Sequence, residues 1–447
     1  MSDPAAANEL CGVRAFCRCG GTRQLVRAML FVLAVVLLAP PIGRWGLAVA
    51  VPALSPFVAA ASVITVHAVP WTAWGGLAVG AVMLLRRRWF CRWVCPPGLL
   101  ADGATRVGLR LGRRPPRIAP IGPWIVWGTL AGACLGYPVL VWLDPIALYS
   151  ASFSVLEVPA SATAWWSAIG MAAVLLISAA WPGTWCARVC PLGAMQDILG
   201  SVPQGIGRAS SGSGDRSFGS DPHAPSTGQH TAAPGGRRRE SRLVVPRRFI
   251  LGALAGAAWA SAARVLHGKA PRPLRPPGAR DEVRFVGLCV RCGNCVRVCP
   301  AHIIRPDGAG HGLAGLLAPV LDFRDDYCRE DCTRCTEVCP SGALARLAIE
   351  DKSTARIGLA RVDMDRCLLR DEAECSACRS ACPYDAITYA WSEAEYMTTP
   401  EIDSEKCPGC GACEQACPTT PSKAIVIEPR SRSSGAVSLA RPSGYDS

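Results

Sequence analysis

Between Cys289 and Cys417, sixteen cysteines fall into four quartets, each ending Cys-Pro. They are Cys289-Cys292-Cys295-Cys299, Cys328-Cys332-Cys335-Cys339, Cys367-Cys375-Cys378-Cys382 and Cys407-Cys410-Cys413-Cys417. The first and last have the spacing C-x2-C-x2-C-x3-C-P, whose thiolates ligate [4Fe–4S] cubanes. Three soft donors two residues apart let one tight loop wrap three irons. The fourth, before a proline, leaves that loop and in two-cluster proteins ligates the neighbouring cluster. Four such runs predict four [4Fe–4S] clusters, and their chemistry is one-electron transfer.

The middle quartets depart from the standard run. The second has three residues after its first cysteine and the third has seven. Both insertions lengthen a loop between ligands, and the quartets can still close. Paired C-x2-C sites also suit zinc, but zinc sites rarely repeat four times with C-x3-C-P. Cysteines this close are poor partners for a disulfide framework. His302 and His311 read as loop residues because the quartets are already complete. Val362-Asp363 and Ile402-Asp403 stand five residues before their quartets and read as short strand starts. To exchange fourth ligands the quartets must pair, either consecutively or first with fourth and second with third. The spacers between quartets do not decide which.

Elements must position these thiols. The 447 residues suggest about three domains. Half the residues are hydrophobic, and a net charge of +13 comes from arginines clustered beside apolar segments. That pattern belongs to membrane topology; nucleic acid is not an expected partner. Four apolar stretches, 25–42, 70–85, 121–143 and 165–181, approach the ~20 residues that cross a bilayer. Ala53–Val66, flanked by Pro52 and broken by Pro56, reads as a short interfacial helix. Arginines before the first stretch, between the second and third, and after the fourth put those segments in the cytoplasm.

Residues 201–245 are a Ser/Gly/Pro-rich cytoplasmic linker. Arg247-Arg248-Phe249 then opens a fifth apolar segment within 246–267, which reads as a twin-arginine-like signal or anchor helix. Ala260-Ser261-Ala262 suits a cleavage site or a packed helix, and the sequence leaves both open. A cluster-bearing domain bound for the periplasm must cross folded, which favours the twin-arginine reading.

A second cysteine pattern lies in the first 200 residues. Phe90-Cys91-Arg92-Trp93-Val94-Cys95-Pro96-Pro97-Gly98 leads to Asp102, and Trp185-Cys186-Ala187-Arg188-Val189-Cys190-Pro191-Leu192-Gly193 leads to Asp197. Each copy follows a pair of apolar stretches, so the region is two parallel repeats. On one helical turn the cysteines of each pair share a face. Together Cys91, Cys95, Cys186 and Cys190 would offer four thiolates for a further cluster or metal. Cys11, Cys17 and Cys19 could supplement this site, and Cys134 reads as a packed cysteine.

Residues 20–200, with the duplicated C-x3-C-P, resemble the NapH-type membrane quinol dehydrogenase subunit and its polyferredoxin-like relatives. Residues 246–428, with their four quartets, resemble the NapG/MauM-type ferredoxins. The resemblance implies a fusion of the two. Its fold would be an α-helical membrane domain of four spans (1–200) and an anchor helix, followed by an α+β ferredoxin-like domain (281–428) and a disordered tail (429–447). It further implies a protein of the bacterial inner membrane with its ferredoxin domain on the periplasmic side. Electrons would pass from the membrane quinone pool, with quinol as donor, to a periplasmic reductase or cytochrome, such as nitrate reductase. The alternative is an electron donor for maturation or regulation of a periplasmic metalloenzyme of the amine dehydrogenase or nitrous-oxide reductase type. The catalytic residues of quinol oxidation stay unknown; His67, Asp144 and Glu157 fall on loops outside the membrane and could accept protons.

Overall fold

The computed structural model describes residues 21–40, 42–86, 88–116, 118–156, 162–200, 247–267, 272–308, 310–312, 315–371, 373–393 and 396–430. The linker, Cys11, Cys17, Cys19, Glu157 and the tail beyond residue 430 lie outside them.

The first half is helical. Its main helices are α1 (Gly21–Leu38), α2 (Pro56–Val66), α3 (Ala73–Leu85), α4 (Pro96–Arg110), α5 (Gly122–Cys134), α6 (Pro145–Ser152), α7 (Ala162–Ala180) and α8 (Pro191–Leu199). Four of them begin on one local device: a capping residue followed by proline at the first helical position. The pairs are Ser55-Pro56, Cys95-Pro96, Asp144-Pro145 and Cys190-Pro191. Proline there lacks an N–H that would be unsatisfied anyway, and its fixed φ suits the helix. The device exposes a fuller repeat than the cysteines alone: a helix, a short helix opened by Ser55 or Asp144, a second helix, then Cys-x3-Cys-Pro.

The short helices correct two expectations. α2 is no interfacial helix, since Phe57, Val58, Ala59, Ala61 and Ser62 are all buried. It turns by 90° from the preceding segment Leu47–Ala53 and packs inside the protein. Asp144 is not on a solvated loop. It is fully buried, accepts hydrogen bonds from the Ile146 and Ala147 amides, and accepts one from Ser55 Oγ at 2.5 Å. The caps of α2 and α6 therefore meet head to head inside the helical region. His67 is exposed, ending α2 in a left-handed conformation.

Among the described residues only α1 is by itself long and apolar enough to cross a membrane. The stretch 121–143 yields a 13-residue helix and then a turn of 3₁₀ helix. Cys134 is exposed, against the expectation of a packed thiol. Apolar side chains face outward along α1 (Leu25, Met29, Val32), α7 (Trp165, Ile169, Leu176) and α9 (Leu251, Leu254, Trp259), α9 being Arg247–His267.

α9 lies along α5. Gly128-x3-Gly132 on one helix meets Gly252-x3-Gly256 on the other so closely that a Cβ at Gly256 would fall 2.2 Å from the Gly128 carbonyl oxygen. Small residues that let backbones touch are a common seam between apolar helices. Ala260 is buried in the same seam, near Gly132. Of the small residues 260–262, Ala260 packs into this seam while Ser261 and Ala262 are exposed on the same helix.

The second half is built of short strands and turns around the quartets. β1 (Ile304–Pro306) pairs with β2 (Pro319–Leu321), β3 (Leu359–Val362) with β6 (Ile425–Glu428), and β4 (Ile387–Ser392) with β5 (Met397–Ile402), all antiparallel. A single bridge, Ala279 with Leu344, stands where the first half-domain would repeat the β3–β6 pair. Quartets one and two are therefore enclosed by one set of pairings and quartets three and four by another. Val362 and Ile402 end their strands, and the next residues, Asp363 and Asp403, accept backbone N–H bonds that turn the chain toward the cysteines. The core of this half holds Phe285, Leu288, Ile304, Phe323 and Ile425 together with most of the cysteines.

Candidate iron–sulfur sites

The strand pairing decides how the thiols converge. Cys289, Cys292 and Cys295 line one cavity with Cys339, the last cysteine of the second quartet. Cys328, Cys332 and Cys335 line another with Cys299, the last cysteine of the first. The second half-domain repeats the exchange: Cys367, Cys375 and Cys378 share a cavity with Cys417. Cys382 in turn lies close enough to Cys410 and Cys413 for their charges to interact. Of the two arrangements left open by the spacing, the chain adopts consecutive pairing.

Each loop has a local reason. Gly293 and Gly411 open the helical turns after the second cysteines of the first and last quartets with positive φ. A Cβ at Gly411 would lie 2.3 Å from the Phe323 ring, so glycine is required there on two counts. Backbone N–H groups point at cysteine sulfurs: Leu344 donates to Cys339 at 3.4 Å and Ala386 to Cys382 at 3.4 Å.

Two buried cations bear on what these cavities hold. Lys352 is buried, yet its Nζ donates to Cys328 Sγ at 3.2 Å and to the Cys332 carbonyl at 2.7 Å. Arg297 is buried beside the first cavity and donates to Asn294 Oδ1 at 2.6 Å and to the Cys292 carbonyl at 3.3 Å. A buried ammonium beside neutral thiols would be costly; beside an anionic group it is compensated. Burial pushes the Cys292 and Cys410 thiols up to about 12, and metal binding at such thiols releases their protons. Among the described residues no three His, Cys, Asp or Glu side chains draw together as a single-ion site would require. Four soft donors spread around one cavity suit a multi-iron cage better than one zinc ion. His311 contacts Asp307 at 3.0 Å and His302 is exposed, so neither joins a quartet.

The duplicated C-x3-C-P pairs also converge. Cys91, Cys95, Cys186 and Cys190 line one pocket with Pro145 and Arg88. The pairs do not ride on one continuous helix as expected. Cys91 lies in the short α-helix Trp89–Trp93 and Cys186 in the short π-helix Trp185–Val189, while Cys95 and Cys190 cap the helices that follow. The break points each second thiol at a helix start, and the Gly193 amide donates to Cys190 Sγ at 3.3 Å. Gln196 Nε2 donates to Cys91 Sγ at 2.7 Å. The two aspartates of the repeat anchor the copies: Asp102 pairs with Arg27 at 2.7 Å, and Asp197 takes both arms of Arg88. Gln196, Arg297 and Lys352 were not visible as site residues in the sequence, since nothing in their spacing marks them.

This geometry defines a ferredoxin-type protein with paired cysteine quartets. Comparison with known proteins agrees: a 4Fe-4S dicluster domain model matches residues 288–343 and 373–420, and a 4Fe-4S binding domain model matches 68–115 and 163–208. The methylamine utilization ferredoxin-type protein MauM of Methylorubrum extorquens is 38% identical over 174 residues, covering 37% of this chain and 76% of that protein. The ferredoxin-type protein NapG of Escherichia coli is 40% identical over 156 residues, 32% of this chain and 65% of NapG. NapF of the same organism is 29% identical over 152 residues, 34% of this chain and 84% of NapF. The chain belongs to the NapG/MauM family of ferredoxin-type iron–sulfur electron-transfer proteins. It spans just under two thirds of NapG, at 65%. No solved structure matches it.

Proposed function

We propose that this protein passes electrons from quinol in the bacterial inner membrane to a periplasmic acceptor. In this reading the helical half is a NapH-like quinol dehydrogenase module of four spans. It is fused, through residues 201–245 and anchor helix α9, to a periplasmic domain with four [4Fe–4S] clusters. Cys289, Cys292, Cys295 and Cys339 would hold one cluster, and Cys299, Cys328, Cys332 and Cys335 the second. Cys367, Cys375, Cys378 and Cys417 would hold the third, and Cys382, Cys407, Cys410 and Cys413 the fourth. Cys91, Cys95, Cys186 and Cys190 would hold a further cluster. When bound, such clusters supply one-electron transfer. The chain's own part is to hold them at fixed separations, exclude water with Phe285, Leu288 and Phe323, and direct backbone N–H groups at the sulfurs.

The observation that carries this reading is the convergence of the duplicated pairs. Four cysteines from two distant repeats line one pocket inside the helical half, and that half is packed directly against the first quartet pair. The outward apolar faces of α1, α7 and α9 support a lipid setting. Fusion makes the donor and acceptor modules neighbours without a diffusive encounter. The test is anaerobic purification of the full chain, iron counting, and addition of a menaquinol analogue. Cluster EPR signals that appear on reduction are the expected result; an iron-loaded protein that no quinol reduces overturns it.

A second reading is supported by identity to MauM, which is named for methylamine utilization. There the same electrons would serve maturation of a periplasmic metalloenzyme. Turnover with a purified terminal reductase separates the two, since only the first reading expects sustained quinol consumption.

A further inference from the structure

We propose that helix α6 is the fixed electron bridge between the pocket of Cys91, Cys95, Cys186 and Cys190 and the first ferredoxin cavity, and that Arg297 is the positioning residue that locks it. The inference rests on the reading of both as iron–sulfur sites.

The two ends of α6 touch the two sites. Pro145, its first residue, lines the four-cysteine pocket. Ser150, in its last turn, donates from Oγ to the Cys292 carbonyl at 3.0 Å. Ser154, just beyond, lines the cavity of Cys289, Cys292, Cys295 and Cys339. Ser150 stands five helical steps beyond Pro145, or roughly 8 Å of helix at about 1.5 Å per residue. Electron tunnelling falls off exponentially with distance, and a covalent helix carries it better than a gap between surfaces. The transfer moves one electron from the helical-half site, which is oxidised, to the first ferredoxin site, which is reduced. No bond forms or breaks, and no proton need move.

The junction is built rather than incidental. A helix C-terminus leaves carbonyl oxygens without partners and carries partial negative charge. Arg297 meets that end: its guanidinium donates to the Ser150 carbonyl, to Ser150 Oγ at 3.2 Å and to the Cys292 carbonyl at 3.3 Å. One buried side chain thereby ties the end of α6 to the loop carrying Cys292. The planar fork of arginine makes these bonds in fixed geometry, which lysine cannot copy. At the other end, the Ser55–Asp144 cap holds α6 in register with α2. Further contacts fix the same face: Ser62 Oγ donates to the Ser341 carbonyl at 2.7 Å, and Thr72 Oγ1 reaches the Cys339 carbonyl at 3.2 Å. The described contacts between the halves fall on the first quartet pair, so electrons enter there.

The experiment uses the full chain in detergent or nanodiscs, with Arg297→Gln, Arg297→Lys and Ser150→Ala. Iron content, dithionite-reducible EPR signals, the spin–spin distance distribution between the two sites and the rate of cluster reduction by a quinol analogue are read together. For Arg297→Gln we expect a broadened distance distribution and reduction by the quinol analogue slowed tenfold or more, beyond what any change in the first site's own potential, read by redox titration, accounts for. Arg297→Lys should recover part of the rate. Wild-type rate and distances in iron-loaded Arg297→Gln would overturn the bridge. If Arg297→Gln loses its iron, Ser150→Ala decides: a threefold or greater slowing supports the bridge, and an unchanged rate overturns it. Wild-type protein without iron at the helical-half pocket would instead overturn the reading on which the bridge rests.

Discussion

The two quartet pairs share a plan and differ in their surroundings. The first pair is wedged against the helical half, with Ser62, Thr72 and Ser150 bonded to its backbone. Arg297 and Lys352 are buried beside its cavities. The second pair touches its surroundings through the first: the Cys328 amide donates to the Cys410 carbonyl at 2.8 Å. Among its described residues no charged side chain is buried, and Trp391 and Tyr396 of its β4–β5 hairpin are exposed. Buried positive charge favours the added electron, and exposure screens such effects. The same cysteine spacing is thus set beside buried cations at one end and without them at the other, where the third quartet is half-buried and the fourth is buried. Spacing chooses the cofactor; environment chooses its electron affinity.

The largest contrast should come from ligand loss. Cys292→Ser removes a donor from the pair that docks the helical half, and is expected to cost its cluster and much of the domain's fold. Cys375→Ser, in the less buried third quartet, is expected to cost one cluster while the first pair stays loaded. Iron counting with circular dichroism checks both, and equal loss in the two variants would erase the contrast.

Charge comes next. Lys352→Met removes the ammonium from Cys328 and should lower the potential of the second site. A tenfold change in the reduction equilibrium is about 59 mV for one electron, and a shift of that order is the expected result. EPR-monitored redox titration would show it as one signal moving while the others stay. An unmoved titration would mean that Lys352 is only a packing residue.

A smaller effect is expected at the α5–α9 seam. Gly256→Leu forces the helices apart and should cost about 1–3 kcal/mol as overpacking, read as a lower midpoint of thermal unfolding in detergent with iron content kept. The smallest belongs to the outer hairpin: Trp391→Ser, at an exposed position, should change stability by no more than about 0.5 kcal/mol. A larger loss there would show that the outer pair is less open than its exposure suggests.

The amino-acid sequence by itself determined the chemistry. C-x2-C-x2-C-x3-C-P is a local motif, and three of its ligands sit on one loop, so residue types and spacing suffice. The duplication of Cys-x3-Cys-Pro was equally legible. The partner of each fourth cysteine was not, because spacers of similar length allow either pairing; the antiparallel β1–β2 and β4–β5 pairs decide it. Asp144 reads as a loop acid in the sequence because nothing local tells whether a connecting segment lies in solvent or turns inward, as the buried Asp144 does. Ala53–Val66 was misread for the same reason: its apolar run suits lipid or a protein interior equally. Lys352 lies thirteen residues past its quartet and Arg297 inside one, and nothing local tells a buried cation from a surface one. Which charges face the cysteines, and which helix joins the two halves, depends on contacts between residues more than a hundred positions apart, such as Ser150 with Cys292. Only the folded chain supplies those.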